Sequence, residues 1–304
     1  MLRHVTDLPL FVILMGIAST AMVVPGLHAL AAGSGDDAAA FLGSAGIFFA
    51  LTLFVAVAVA NRPRQRPARS YLLSLLGAFT VLPAILAVPM LESVGNTRFL
   101  NAYFEMISSF TTTGATVFPG AERLSESEHL WRALVGWLGG FLVWVAAAAI
   151  LAPMNLGGFE VLSQQEAGQE MATAATGPVS HVVDNAVRLR RFTGLLAPVY
   201  GGLTLILWIA LLVLGDPALV AACHAMSTLA TRGISPLSGP DAAPSGPAGE
   251  ALIVFFLVFA VARTTFTRDR SESGLRRVAE DKEFRMGLLL VVVVPLFLFA
   301  RHWV

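Results

Sequence analysis

Residues Ser108 to Thr116 read Ser-Ser-Phe-Thr-Thr-Thr-Gly-Ala-Thr, a polar, glycine-centred run between two long apolar stretches. A weaker copy, Ser-Thr-Leu-Ala-Thr-Arg-Gly-Ile-Ser, occupies Ser227 to Ser235. With Gly114 set over Gly233 the offset is 119 residues, so Ser108 meets Ser227 and Thr112 meets Thr231, while Phe110/Leu229, Ser109/Thr228 and Thr116/Ser235 are conservative matches. A polar segment placed twice at the same point of an apolar chain predicts an internal repeat of membrane helix, pore loop and membrane helix, the loops serving as an ion filter.

The surrounding composition fixes the setting. Of 304 residues, 56% are hydrophobic and 13% charged, and several apolar runs approach the roughly 20 residues that cross a bilayer. The expected fold class is all-α, a polytopic membrane protein with spans near residues 8–31, 41–60, 71–93, 131–152, 195–214, 250–266 and 286–300. The first apolar stretch, Leu8 to Ala32, is too long for a signal-peptide core and is read as a span. Alternate loops are basic: Arg3, the group Arg62 to Arg69, the group Arg188 to Arg191 and the group Arg263 to Arg285 hold fifteen of the twenty Lys and Arg residues. By the positive-inside rule the amino terminus and these loops face the cytoplasm, and both Thr/Gly loops face outward in the cytoplasmic (inner) membrane. Cys223 is the single cysteine, which excludes a disulfide framework within one chain.

Five units follow from this pattern: a leading hairpin over 1–70, a first helix–pore loop–helix repeat over 71–154, a polar cytoplasmic linker over 155–192, a second repeat over 193–270, and a loop with the opening helix of a third repeat over 271–304. The stretch Asn101 to Phe110 is too short to span, so it must turn back, and backbone at that depth has to be buried in protein or line a water-filled cavity. Asn96 or Thr97 is the expected N-cap of this first pore helix, and Asp216, ahead of Pro217, that of the second. Gly114 and Gly233 mark where helical geometry must have ended.

A monovalent cation leaving water needs several oxygens at close range, which an extended filter supplies as backbone carbonyls. The filter candidates are Thr111, Thr112, Thr113, Gly114 and Ala115 in the first loop and Ala230, Thr231, Arg232, Gly233 and Ile234 in the second, with K⁺ held at Thr112, Thr113, Gly114, Thr231 and Gly233. A ring of carboxylates would discriminate less, and no Asp or Glu lies between Ser108 and Thr116. The C-terminal end of each short helix adds about half a negative charge aimed at the ion. Glu105 and His224 occupy equivalent places and are the polar pore-helix candidates, either acting on the ion or making a structural contact. Arg232 would repel cations if it faced the axis, so it is expected to point outward or behind the filter and pair with an acid or with carbonyls.

The run from Phe104 through Glu105 and Thr112-Thr113-Gly114-Ala115 to Thr116 resembles the first pore loop of the Trk/Ktr potassium-transporter superfamily, of the Trk-type (TrkH-like) pore subunit, and the resemblance extends over essentially the whole chain. It implies four joined repeats, after two leading helices, around one K⁺ pathway, with the filters at Thr112 to Ala115 and Thr231 to Ile234. K⁺ is then the transported ion, and the partners are membrane lipid and a nucleotide-binding (TrkA-like) regulatory subunit under the pore. One chain with two complete repeats cannot close such a pore, which is expected either of a truncated chain or of a half-pore that forms a homodimer.

Other features have plainer readings. Gly136 and Gly140 form a small-xxx-small pair suited to close helix packing, and Trp131 fits an interfacial anchor. No Walker A run or dinucleotide fingerprint occurs, so no organic cofactor is expected. No nucleic-acid partner is expected either. A hydrolase built from Ser235, His224, His181 and Asp184 fails on topology, because the expected loops put these groups on opposite faces. A membrane scaffold with non-conducting loops is the remaining alternative.

Overall fold

The computed structural model describes residues 9–60, 67–118, 120–151 and 185–261, with 286–287, 289 and 293. Most of the expected seventh span, of the polar linker and of the third-repeat segment lies outside the described residues. Five helical stretches are long and apolar enough to cross a membrane: Leu10–Ala31, Gly35–Val59, Ser70–Val94, Glu126–Leu151 and Val187–Val213. At about 1.5 Å per residue each exceeds the roughly 30 Å of a hydrocarbon core. Among the described residues every regular element is helical.

In chain order the helices are α1 Leu10–Ala21, α2 Val23–Ala31, α3 Gly35–Val59, α4 Pro67–Thr80, α5 Leu82–Val94, α6 Phe99–Phe110, α7 Glu126–Ala146, α8 Asn185–Val213, α9 Ala218–Leu229 and α10 Gly246–Val261. The pairs α1–α2 and α4–α5 each form one bent span. In the second, Pro83 near the start of α5 breaks the helical ladder. The Ala84 amide bonds to the Val81 carbonyl, and the Thr80 carbonyl is taken instead by the Tyr103 hydroxyl of α6 at 2.9 Å. The short helix α6 is thereby fastened to the bend of the span that precedes it.

Several boundaries differ from expectation for identifiable reasons. The second span starts at Gly35, not near 41, so Asp36 and Asp37 occupy its first turn, where carboxylates suit the helix dipole. The fourth starts at Glu126 through a capping box, Ser125 with Glu128, ahead of the expected Trp131. Trp131 is no interfacial anchor: it is fully buried, donates its indole N–H to the Leu86 carbonyl at 3.1 Å and meets Phe41 edge-on. Residues Asn185 to Arg191, expected in the linker, are the first turns of α8. The described part of the expected sixth span, residues 250–261, lies in the 16-residue α10, which begins at Gly246.

The interior forms two apolar clusters. One joins the leading hairpin to α4–α7 around Phe41, Leu86, Met90, Phe110 and Trp131. The other gathers α8–α10 around Tyr200, Leu207, Leu211, Leu229 and Phe256, with Trp137, Phe141 and Trp144 of α7 packed on it. Helix α7 is the wall shared by both. At the end of α5 the Ser93 hydroxyl donates to Asp37 Oδ1 of α3 at 2.8 Å and lies 2.7 Å from Glu128 Oε1 of α7, pinning three elements at one buried point. Ser93→Ala is expected to lower the thermal midpoint of the purified protein, through a loss of about 1–3 kcal/mol as buried acceptors lose their donor. Ser93→Thr should restore it, and an unaltered midpoint in the alanine variant would show that the pin contributes nothing.

Candidate functional site

The 119-residue repeat inferred from the two Thr/Gly runs recurs in the geometry. Adding 119 to the bounds of α6, Phe99–Phe110, gives those of α9, Ala218–Leu229, and the short turn Ala121–Arg123 maps likewise onto Pro240–Ala242. The last residue of α5, Val94, maps onto the last residue of α8, Val213. Between these marks lie the candidate filter loops.

Each pore helix closes in the same way. In the first, the Thr112 amide bonds to the Ser109 carbonyl at 3.0 Å and the Thr113 amide to the Ser108 carbonyl at 2.9 Å. In the second, Thr231 bonds to Thr228 at 3.0 Å and Arg232 to Ser227 at 2.9 Å. This is the Schellman closure, whose left-handed residue is usually glycine. Here threonine holds that position twice, Thr112 with φ 56° and Thr231 with φ 52°. A β-branched residue in this region costs on the order of 1–3 kcal/mol and persists where its surroundings enforce it. The helices therefore end at Phe110 and Leu229 through the threonines, and Gly114 (φ 79°) and Gly233 (φ 69°) supply a second left-handed turn two residues later.

Neither helix takes its expected cap. Arg98, in extended conformation, precedes α6 with no side-chain cap, and Asn96 and Thr97 lie too early. Pro217 itself holds the cap position of α9, so Asp216 is one residue too far back. Its carboxylate binds the amide and hydroxyl of Ser245 at 2.8 and 3.0 Å, which ties the start of α9 to the start of α10.

Behind the first loop sits a buried polar cluster. Glu105, fully buried, pairs with Arg132 of α7 at 2.6 Å, and its second oxygen accepts from the Thr116 hydroxyl at 3.0 Å and the Val117 amide at 3.1 Å. Arg132 also donates to the Thr116 hydroxyl at 3.1 Å, which in turn accepts from the Phe118 amide at 3.0 Å. Glu105 thus holds the outgoing arm of the loop. In the second copy His224 replaces Glu105 and lies 2.8 Å from Ser235, the counterpart of Thr116; Ser235 accepts from the Leu237 amide at 3.0 Å. The counterpart of Arg132 is Ala251, so both members of the ion pair are absent together. His224 and Ser235 do meet, as a copy of the Glu105–Thr116 brace, while His181 and Asp184 lie outside the described residues.

The same seam is closed once more by serine. Ser108 donates to the Ala115 carbonyl at 2.6 Å, and Ser227 accepts from the Ile234 amide at 3.0 Å. The Ala115 carbonyl, included above among the filter oxygens, is therefore turned back to the pore helix. Thr111 caps the Ile107 carbonyl at 2.7 Å and meets the Thr113 hydroxyl at 2.8 Å, keeping its side chain with its own loop. Ala230 is buried, while Thr113, Thr231 and Gly233 are exposed.

The two loops come together. A Cβ added at Gly114 would collide with the Arg232 carbonyl oxygen, so the two loops are neighbours there. Arg232 is buried, and its Nη1 donates to the backbone carbonyl of Arg132. Its guanidinium lies against Gly136 of α7; Gly139 meets the Phe110 backbone, and Gly140 faces Ala230 and the Tyr200 hydroxyl. The glycines of α7 accordingly receive two helices, at Phe110 of α6 and Tyr200 of α8, and the second loop at Arg232 and Ala230. In the sequence Ser108 and Ser227 marked only the start of the repeated run, and Arg132 and Gly139 carried no assigned role. A basic residue inside an apolar span is itself a functional signal, and Arg132 carried it.

Two short helices, each ending in a Thr/Gly loop, are set side by side and braced from behind by polar side chains in a helical fold with spans of membrane length, the architecture of a pore-loop membrane protein. The chain belongs to the TrkH family of cation transport proteins, whose family model matches residues 46–239. It is similar to the Trk system potassium uptake protein TrkH of Salmonella typhimurium (strain LT2), 30% identical over 306 residues, covering 95% of this chain and 59% of that protein. With the Trk system potassium uptake protein TrkI of Halomonas elongata it shares 29% over 248 residues, 77% of this chain and 46% of the relative. Its fold matches the crystal structure of the potassium transporter TrkH from Vibrio parahaemolyticus with a TM-score of 0.76 at 23% identity, over 95% of this chain and 57% of that one. The chain spans about three fifths of the length of the Salmonella relative. Family membership places it among transport proteins and removes the hydrolase alternative.

Glu105→Gln is expected to cost about 3–5 kcal/mol, because Arg132 would keep a buried charge without its carboxylate. Chemical denaturation in detergent should show part of that loss recovered when Arg132→Met is added. Additive costs in the double variant would show that the two groups are not coupled.

Proposed function

We propose that the chain forms part of the wall of a K⁺ uptake pathway, with Thr111–Ala115 and Ala230–Ile234 as two of its filter segments and K⁺ passing Thr112, Thr113, Gly114, Thr231 and Gly233. The observation that carries this reading is the duplicated loop: the same closure, the same left-handed threonine and the same left-handed glycine occur twice, and Gly114 meets the other loop's backbone. Neutral carbonyls in such loops can replace the water around an alkali cation. Two helix C-termini that end in adjoining loops would add negative potential there. The printed names of the relatives, potassium uptake proteins, point the same way.

The proposal includes the division into hairpin, repeats and linker given above, an amino terminus in the cytoplasm and outward-facing filter loops in the inner membrane, as the basic loops imply. Those loops also offer a surface to anionic lipid or to a nucleotide-binding regulatory subunit on the cytoplasmic face. Closing the pore requires further repeats or a second copy. The membrane potential, worth about 2.3 kcal/mol per charge per 100 mV, would drive entry of the cation.

The test is growth of a host deficient in K⁺ uptake. The complete gene product should restore growth at low K⁺, and Gly114→Asp, which forces a Cβ and a charge against the Arg232 carbonyl, should abolish it. Rescue unaffected by that substitution would overturn the filter assignment, and no rescue by either form would favour a scaffold.

A further inference from the structure

Arg232 stands where the first loop has Thr113, and the two residues behave differently. Thr113 is exposed, and its hydroxyl meets Thr111 of its own loop. Arg232 is 4% exposed and has contacts on three sides. Its amide closes α9 onto Ser227, its carbonyl lies against Gly114 of the first loop, and its guanidinium donates to the Arg132 carbonyl in α7. The side chain reaches that carbonyl because α7 has glycine at position 136, where a Cβ would meet Arg232 Cδ at 2.7 Å and Cζ at 3.3 Å.

Arg132, the receiving residue, uses its own guanidinium on Glu105 and Thr116 of the first loop. The contacts thus run without a break from the second loop through Arg232 to Arg132 and on to the first loop. We propose that Arg232 is a positioning residue for ion discrimination: it fixes the separation of the two filter loops by bracing the second loop on the helix that holds the first. This rests on the filter reading above.

The chemistry follows from how neutral oxygens discriminate. Carbonyls choose between K⁺ and Na⁺ through their number, field strength and spacing, so a filter free to contract around the smaller ion loses its preference. A guanidinium is suited to such a brace because its planar fork is already organised and it keeps its charge when buried. With its charge spent on a carbonyl behind the loop, Arg232 acts on the spacing of the loops and leaves the axis to neutral oxygens.

Two variants disturb the brace in different ways. Arg232→Met keeps a stem of similar length and removes the donor, whereas Gly136→Ala leaves Arg232 intact and occupies the space its guanidinium needs. Uptake of radioactive Rb⁺ and Na⁺ by cells producing each protein gives the ratio of interest, with the folded amount read by size-exclusion chromatography. Both variants should lower the Rb⁺/Na⁺ ratio by on the order of tenfold, the change expected from one lost charge-assisted contact. Arg232→Lys, which keeps the charge and one donor, should fall between them and the unmodified protein. An unaltered ratio in either folded variant overturns the brace, and if Arg232→Met yields no folded protein, Gly136→Ala decides alone. Gly114→Asp separates the two levels: continued Rb⁺ uptake there overturns the filter reading, while lost uptake there with unaltered ratios elsewhere overturns only the brace.

Discussion

Irregular backbone at membrane depth must satisfy its own hydrogen bonds, because lipid offers no partner. That constraint explains most of what surrounds the two loops. Each loop leaves its short helix through a closure that uses two of the last free carbonyls, and each is then sewn back to the helix by a serine, Ser108 or Ser227. The outgoing arm is held by a side chain one turn earlier, Glu105 or His224. The strained threonines are tolerable because these bonds come in a set, and releasing one would expose the others.

The copies keep this plan while exchanging its chemistry. Glu105 with Arg132 becomes His224 with Ser235 and Ala251, an ion pair traded for a neutral hydrogen bond. Such a trade is feasible as a unit. A carboxylate left without Arg132, or an arginine without Glu105, would be a bare charge in a dry interior. The single guanidinium of the second loop, Arg232, is directed into α7 and does not restore a pair of its own.

Much of this was legible in the residues. The apolar runs gave five of the expected spans, because length and hydropathy alone decide them. The 119-residue offset located both short helices, since a threonine and a glycine recurring at one spacing, each time ahead of an apolar run, mark a duplicated segment. The caps were misplaced by one or two residues, where Arg98 and Pro217 start their helices by backbone conformation without a side-chain cap. Trp131 was read as an anchor because a sequence shows distance from a span's end, not which face of α7 packs on Phe41. A carbonyl was among the partners expected for Arg232, but which groups meet Glu105 and Arg232 could not be read. Arg132 and its carbonyl come from α7, whose Gly136, Gly139 and Gly140 lie against Arg232, the Phe110 backbone and Ala230, a packing that depends on how that helix is turned.

The unequal braces have an electrical consequence. Behind one loop stand a carboxylate and two guanidinium groups within a few side-chain lengths; behind the other stands an imidazole beside a hydroxyl. In a conduit bordered by these two walls, as proposed above, the potential would be lopsided, and the easiest line of travel for a cation would be displaced from the geometric centre even though the two helix-and-loop segments share their bounds.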